Sequence, residues 1–152
     1  MSVKIPYFKQ KKWYTCGAAC ARMILASAGI KKSEQVLSKQ LKINNIDGTL
    51  TKNLILLFKK YNFKTISKQN SSISELKNLL KNNYFIILLF FIEKENIDHF
   101  TIVRKITKTR IFLLDSHLGK NKKFKISQFN KIWHSDSRFE KKKKWFLALK
   151  LV

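Results

Sequence analysis

The sequence predicts an α+β domain in which helices from the first half pack on an antiparallel sheet built from the second. Two observations carry this. From Cys16 to Leu80 the apolar residues recur at helical spacing. From Tyr84 the pattern changes to extended runs, YFIILLFFI, DHFTIVRKI and RIFLLD, separated by short polar turns. Helices followed by strands is the signature of α+β architecture. With no internal repeat and no Pro/Gly-rich linker, residues 1–152 read as one domain.

Taken in order, Lys4 to Gln10 is an extended entry whose backbone is fixed at Pro6. Trp13 and Tyr14 pack near the start of a first helix, Cys16–Ala28. Cys16, Cys20, Met23 and Ile24 share its apolar face, and Gly29 stops it. Ser33 is an N-cap for a short helix through Leu41, with Val36, Leu37 and Leu41 inward. Asp47-Gly48 marks a turn. Thr51 caps a third helix carrying Leu54, Ile55, Leu57 and Phe58. Phe63–Ile66 suggests a short edge strand. Ser72 and Glu75 form a capping-box signal for a helix containing Leu76, Leu79 and Leu80. Three antiparallel strands follow at Tyr84–Ile92, Phe100–Ile106 and Arg110–Asp115. Phe124 begins another short strand or turn, Ser127–Trp133 a short helix, and Trp145–Leu151 the closing strand. Lys141–Lys144 is a solvated turn.

Composition narrows the function classes. Hydrophobic residues make up 45% of the chain, which excludes disorder. The net charge is +23, from 32 basic and nine acidic residues. The lysines are spread along the chain rather than gathered on one element, so nucleic acid is not the expected partner. The two cysteines sit four residues apart on one helix, a spacing unsuited to a disulfide. Free thiols fit a reducing compartment, and MSVKIPYFKQKKW has no apolar signal core, so a cytoplasmic protein is expected. The apolar run Tyr84–Ile92 is shorter than the about 20 residues that span a bilayer and reads as a buried strand. No cysteine–histidine set has the spacing of a zinc site, and no metal or cofactor is expected.

Chemistry concentrates at QKKWYTCGAAC. A cysteine alone in an apolar helix is ordinarily a packing residue. Cys16, however, opens its helix, where unpaired N–H groups and the helix dipole favour a thiolate. Gly17, Ala18 and Ala19 leave room for a substrate carbonyl. The Cys16 N–H and the Gln10 amide are two donors for its oxygen. The base must be a histidine, and there are three. His99 lies on a strand, and Asp115 ends the next one, so neighbouring strands put acid beside imidazole. His117, in a loop, is a rival base, and His134 reads as surface.

The ordered elements Q-x5-CGAAC, DHFTIV and DSHLG, with the ending KKWFLALKLV, resemble the bacteriocin-processing cysteine peptidases. These are the double-glycine leader peptidases found as N-terminal domains of ABC exporters. The resemblance covers nearly the whole chain. It implies a papain-like fold, cleavage after a Gly-Gly leader, and a leader-bearing peptide and an ABC exporter as partners. By position it makes Cys16 the nucleophile, His99 the general base, Asp115 the orienting acid and Gln10 the oxyanion donor. Cys20 matches a packing cysteine of the family. Two positions depart from the family pattern: Ser116-His117 follows Asp115 where Pro is common, and Thr15 precedes Cys16 where Asp is common. The same thioester chemistry also serves deamidation, amide hydrolysis and transglutamination. A domain that only binds leader peptides or nucleic acid is the non-catalytic alternative.

Overall fold

The computed structural model describes residues 4–136 and 140–152, so the first three residues of the N-terminal stretch read for a signal lie outside the described residues. Its helices are α1 (Cys16–Ser27), α2 (Glu34–Gln40), α3 (Thr51–Lys60), α4 (Ile73–Lys81) and α5 (Ile126–Ile132). The strands are β1 (Phe63–Lys68), β2 (Phe85–Ile92), β3 (Ile97–Ile106), β4 (Arg110–Asp115), β5 (Gly119–Lys125) and β6 (Phe146–Leu151). They form one antiparallel sheet in the order β1-β6-β2-β3-β4-β5. The predicted edge strand is an edge: among the described residues β1 pairs only with β6. The closing strand enters the sheet interior, pairing β1 on one side and β2 on the other.

Two apolar layers sandwich the sheet. On one side α1, α2 and α3 bury Met23, Ile24, Leu37, Leu54 and Phe58 against Ile87, Leu89, Phe100 and Ile102. On the other, α4 and α5 bury Leu76 and Phe129, with Trp133, against Ile86, Leu88, Phe90 and Val103. Alternate residues of β2 serve opposite layers, which is why YFIILLFFI is continuously apolar. Each fully buried Met, Ile or Leu contributes roughly 1.5–3 kcal/mol of transfer free energy. A methylene-poor face of α1, with Ala18 and Ala21 wholly buried, allows close approach to the sheet.

Local signals were met with four corrections. Ser33 Oγ accepts the Val36 N–H at 3.1 Å, but Val36 itself is 43% exposed rather than inward. Leu37 and Leu41, one position on and one turn further, take the buried stripe. Thr51 is not the cap of α3 but its first residue. Leu50 holds the cap position without a side-chain bond, and the Glu140 carboxylate accepts from the Thr51 N–H and hydroxyl. At α4 half of the capping box forms: Ser72 Oγ accepts the Glu75 N–H at 3.1 Å. The Glu75 carboxylate turns instead to Ser71 Oγ (2.6 Å) and Lys68 Nζ (3.1 Å). The strand or turn expected to begin at Phe124 instead begins at Gly119, at φ +120°, and Phe124 is its next-to-last residue.

Candidate active site

Cys16 is the first residue of α1 and is 6% exposed. Thr15 occupies the cap position, yet its hydroxyl turns back to accept from Lys12 N (3.1 Å) and donate to Lys12 O (2.9 Å). No side chain therefore caps α1, and its first-turn N–H groups remain the positive end of the helix dipole. A cleft of about 300 Å³ opens beside the thiol, walled by Tyr14, Asp47, Thr49, Leu89, Asp98 and Phe100 among others. Thr49 packs on the backbone of Gly17: a Cβ there would lie 2.3 Å from Thr49 Oγ1. The Gly of CGAAC is thus fixed by a close approach of the α2–α3 loop.

His99 and Asp115 meet as the strands predict. His99 Nε2 and Asp115 Oδ1 are 2.8 Å apart, and neither side chain is exposed. The carboxylate is wrapped by its own turn, since Oδ1 also accepts from His117 N (2.9 Å) and Leu118 N (2.7 Å). Burial pushes the Asp115 carboxyl up, but the hydrogen bond and charge of His99, then the Leu118 N–H, hold it below its ordinary value. Burial likewise opposes charge on His99. Its hydrogen bond to Asp115, then the nearby Cys16 thiol, raises its pKa to about 10. With Nε2 committed, Nδ1 makes no hydrogen bond of ordinary geometry and is the nitrogen left for the thiol. The Cys20 thiol, fully buried, is pushed well above its ordinary value by burial, then by Cys16 and Asp115. It remains a packing residue.

Gln10 is pinned to the same turn. Its N–H donates to Ser116 O (2.9 Å), and its Oε1 accepts from Ser116 Oγ (2.7 Å). Its Nε2 donates to Lys12 O (2.9 Å) and, more weakly, to Trp13 O (3.3 Å). Glu34, buried at the start of α2, fixes the segment from below by accepting the Lys11 N–H at 3.1 Å. Ser116 thereby has a definite task in holding Gln10.

His117 pairs with Glu95 at 2.9 Å and sets its ring 5.9 Å from that of His99. His134 is half-buried, stacked on Phe91. Sequence reasoning missed Tyr7, whose hydroxyl donates to Asp115 O at 2.7 Å, and Thr49, which lines the cleft. Nothing in their spacing to Cys16 or His99 marks them. No group of three or more His, Cys, Asp or Glu among the described residues has the arrangement of a metal site, and no helix among them is long and apolar enough to cross a membrane.

Comparison with solved structures places this fold. The chain superposes on a double glycine motif protease from an AMS/PCAT transporter, crystallised with its leader peptide, with TM-score 0.72, 16% identity, and 99% and 94% of the two chains covered. For the peptidase domain of Streptococcus ComA, a bifunctional ABC transporter of a quorum sensing pathway, the values are 0.74, 16%, 98% and 100%. For a C39-like peptidase from Bacillus anthracis they are 0.73, 14%, 99% and 96%. No curated protein matches the sequence. The architecture is the papain-like fold of these peptidase domains. Residues 4–143 match the sequence profile of the Peptidase C39 family, and the chain belongs to that family of cysteine peptidases.

Proposed function

We propose that this chain, read as one catalytic domain, cleaves a precursor peptide after a Gly-Gly leader, with Cys16 as nucleophile, His99 as general acid and base, and Asp115 as the group that orients the imidazole. The observation that carries this reading is the sealed 2.8 Å His99–Asp115 bond together with an open cleft that Cys16 borders. In acylation Cys16 Sγ bonds to the scissile carbonyl carbon, and its proton resides on His99 Nδ1. The carbonyl oxygen becomes an oxyanion, held by the Cys16 N–H and the Gln10 amide. Gln10 exchanges the longer of its contacts, that to Trp13 O at 3.3 Å, for this oxygen. The C–N bond then breaks, and the amine leaves with the proton from His99. Water attacks the thioester as His99 takes its proton, which returns the thiol and releases the leader.

A leader-bearing peptide is the substrate in this proposal and an ABC exporter the partner, as in the relatives with that chemistry. Action in the cytoplasm keeps Cys16 reduced. The test is mass spectrometry of a double-glycine precursor incubated with the protein. Wild type should give one cut after Gly-Gly and Cys16→Ala none. Equal cleavage by both would remove the assignment.

A further inference from the structure

The turn after β4 serves both halves of the site with two consecutive residues. Asp115 takes the His99 ring at 2.8 Å. Ser116, buried with 0% exposure, donates its hydroxyl proton to Gln10 Oε1 at 2.7 Å. Two other bonds dock the entry segment on this turn. The Tyr7 hydroxyl donates to Asp115 O at 2.7 Å, and the Gln10 N–H donates to Ser116 O at 2.9 Å. Both end on backbone carbonyls of the turn, so neither needs the Ser116 side chain. The hydroxyl does something different: it fixes a side-chain amide.

That amide is held at both ends. Gln10 Nε2 lies against two carbonyls, Lys12 O at 2.9 Å and Trp13 O at 3.3 Å, in the loop that leads into Cys16. Carbonyls only accept, so this end of the amide must be its NH2. The Ser116 hydroxyl supplies a donor to the opposite end. Donation to an amide oxygen also draws charge from its nitrogen, which makes the N–H groups stronger donors.

We infer that Ser116 is a positioning residue for acylation: its hydroxyl holds the Gln10 carboxamide so that an N–H is presented to the oxyanion formed at Cys16. The inference rests on the peptidase reading, in which Gln10 is that donor, and extends it to the group that orients Gln10. Ser116 acts through Gln10, not on the substrate. Because Asp115 and Ser116 are adjacent, one turn sets the imidazole and the oxyanion donor in register.

The experiment compares two reactions of the same thiol. Cleavage of a Gly-Gly peptide passes through an oxyanion. Alkylation by iodoacetamide forms the Sγ–C bond as iodide leaves, and no oxyanion arises. Losing an oxyanion donor outright costs about 10²–10³ in kcat, so loosening one should cost about 10-fold. Ser116→Ala should show that drop in kcat with KM and the Cys16 alkylation rate both within about 2-fold of wild type, since binding and the thiolate are untouched. In a Gln10→Ala background, Ser116→Ala should cost nothing further. Unchanged cleavage in Ser116→Ala would overturn the inference and leave the peptidase reading standing. So would a joint loss of cleavage and alkylation, or an undiminished loss in Gln10→Ala, since either makes Ser116 only a support of the Asp115 turn. The NMR signals of the Gln10 side-chain amide give a readout without catalysis, and Ser116→Ala should move them toward those of a free glutamine amide. If wild type cleaves nothing, the peptidase reading fails. Shifted amide signals would then still uphold the hold of Ser116 on Gln10, and unmoved signals would overturn it.

Discussion

His99 and Asp115, sixteen residues apart on adjacent antiparallel strands, share a 2.8 Å hydrogen bond from which solvent is wholly excluded. The bond fixes the ring, assigns Nε2 to the carboxylate and leaves Nδ1 without a hydrogen-bond partner. In a buried setting such a pair is sensitive to the loss of either charge.

That sensitivity sets a pH dependence. The pKa of His99 is raised above its ordinary 6.5 to about 10, so its stabilising contribution is complete below pH 6.5 and is lost as pH rises through about 10. Asp115 is shifted down, so its contribution is present above the ordinary carboxylate range and is lost as pH falls through its lowered value. The Tm difference between wild type and Asp115→Asn should therefore be greatest in the mildly acidic window above the ordinary carboxylate range and below pH 6.5, and shrink on either side of it. A difference that grows steadily up to pH 10 would contradict the pairing.

Thiol reactivity separates the two cysteines. Cys20 is fully buried with its thiol pKa pushed well upward, whereas Cys16 borders the cleft. Iodoacetamide near neutral pH should label Cys16 at least about 10-fold faster than Cys20, a ratio set by thiolate fraction and access. Labelling that continues unchanged in Cys16→Ala would contradict this assignment.

The Gly17–Thr49 contact predicts a costly substitution. Gly17→Ala would place Cβ 2.3 Å from Thr49 Oγ1 and 2.6 Å from Thr49 Cβ, so the loop must shift. Overpacking of this kind costs about 1–3 kcal/mol. Denaturant unfolding should record that loss, together with a drop in cleavage because Thr49 also walls the cleft. A fully stable, active Gly17→Ala protein would show that the approach is not tight.

His117 tests which imidazole acts. Its ring is 5.9 Å from that of His99, but its Nε2 is paired with Glu95. His99→Ala should reduce kcat by about 10²–10⁴, the usual range for general acid–base catalysis. His117→Ala should lower it less than about 10-fold. The reverse order would move the base to His117.

Much of this arrangement was legible in the sequence because it follows from local rules. Cys16 at a helix start, the Ser33 and Ser72 caps, and the His99–Asp115 pairing all depend on spacing within one element or between adjacent hairpin strands. What was not legible depends on long-range docking. Thr51 has the side chain of a cap, but Glu140, eighty-nine residues away, takes over that end of α3. The insertion of β6 between β1 and β2 leaves no local signal, since any apolar strand fits there. Tyr7 and Ser116 have ordinary surroundings in sequence and acquire meaning when the entry segment crosses the β4–β5 turn. Val36 was misplaced because apolar character alone does not fix which side of a short helix is buried.

The most direct test of the central claim is covalent capture. A leader peptide ending in a Gly-Gly chloromethyl ketone should add one mass equivalent to wild type, and peptide mapping should place it on Cys16. The reaction should be absent in Cys16→Ala and strongly slowed in His99→Ala. Modification at another residue, or at Cys16 with no dependence on His99, would contradict the account.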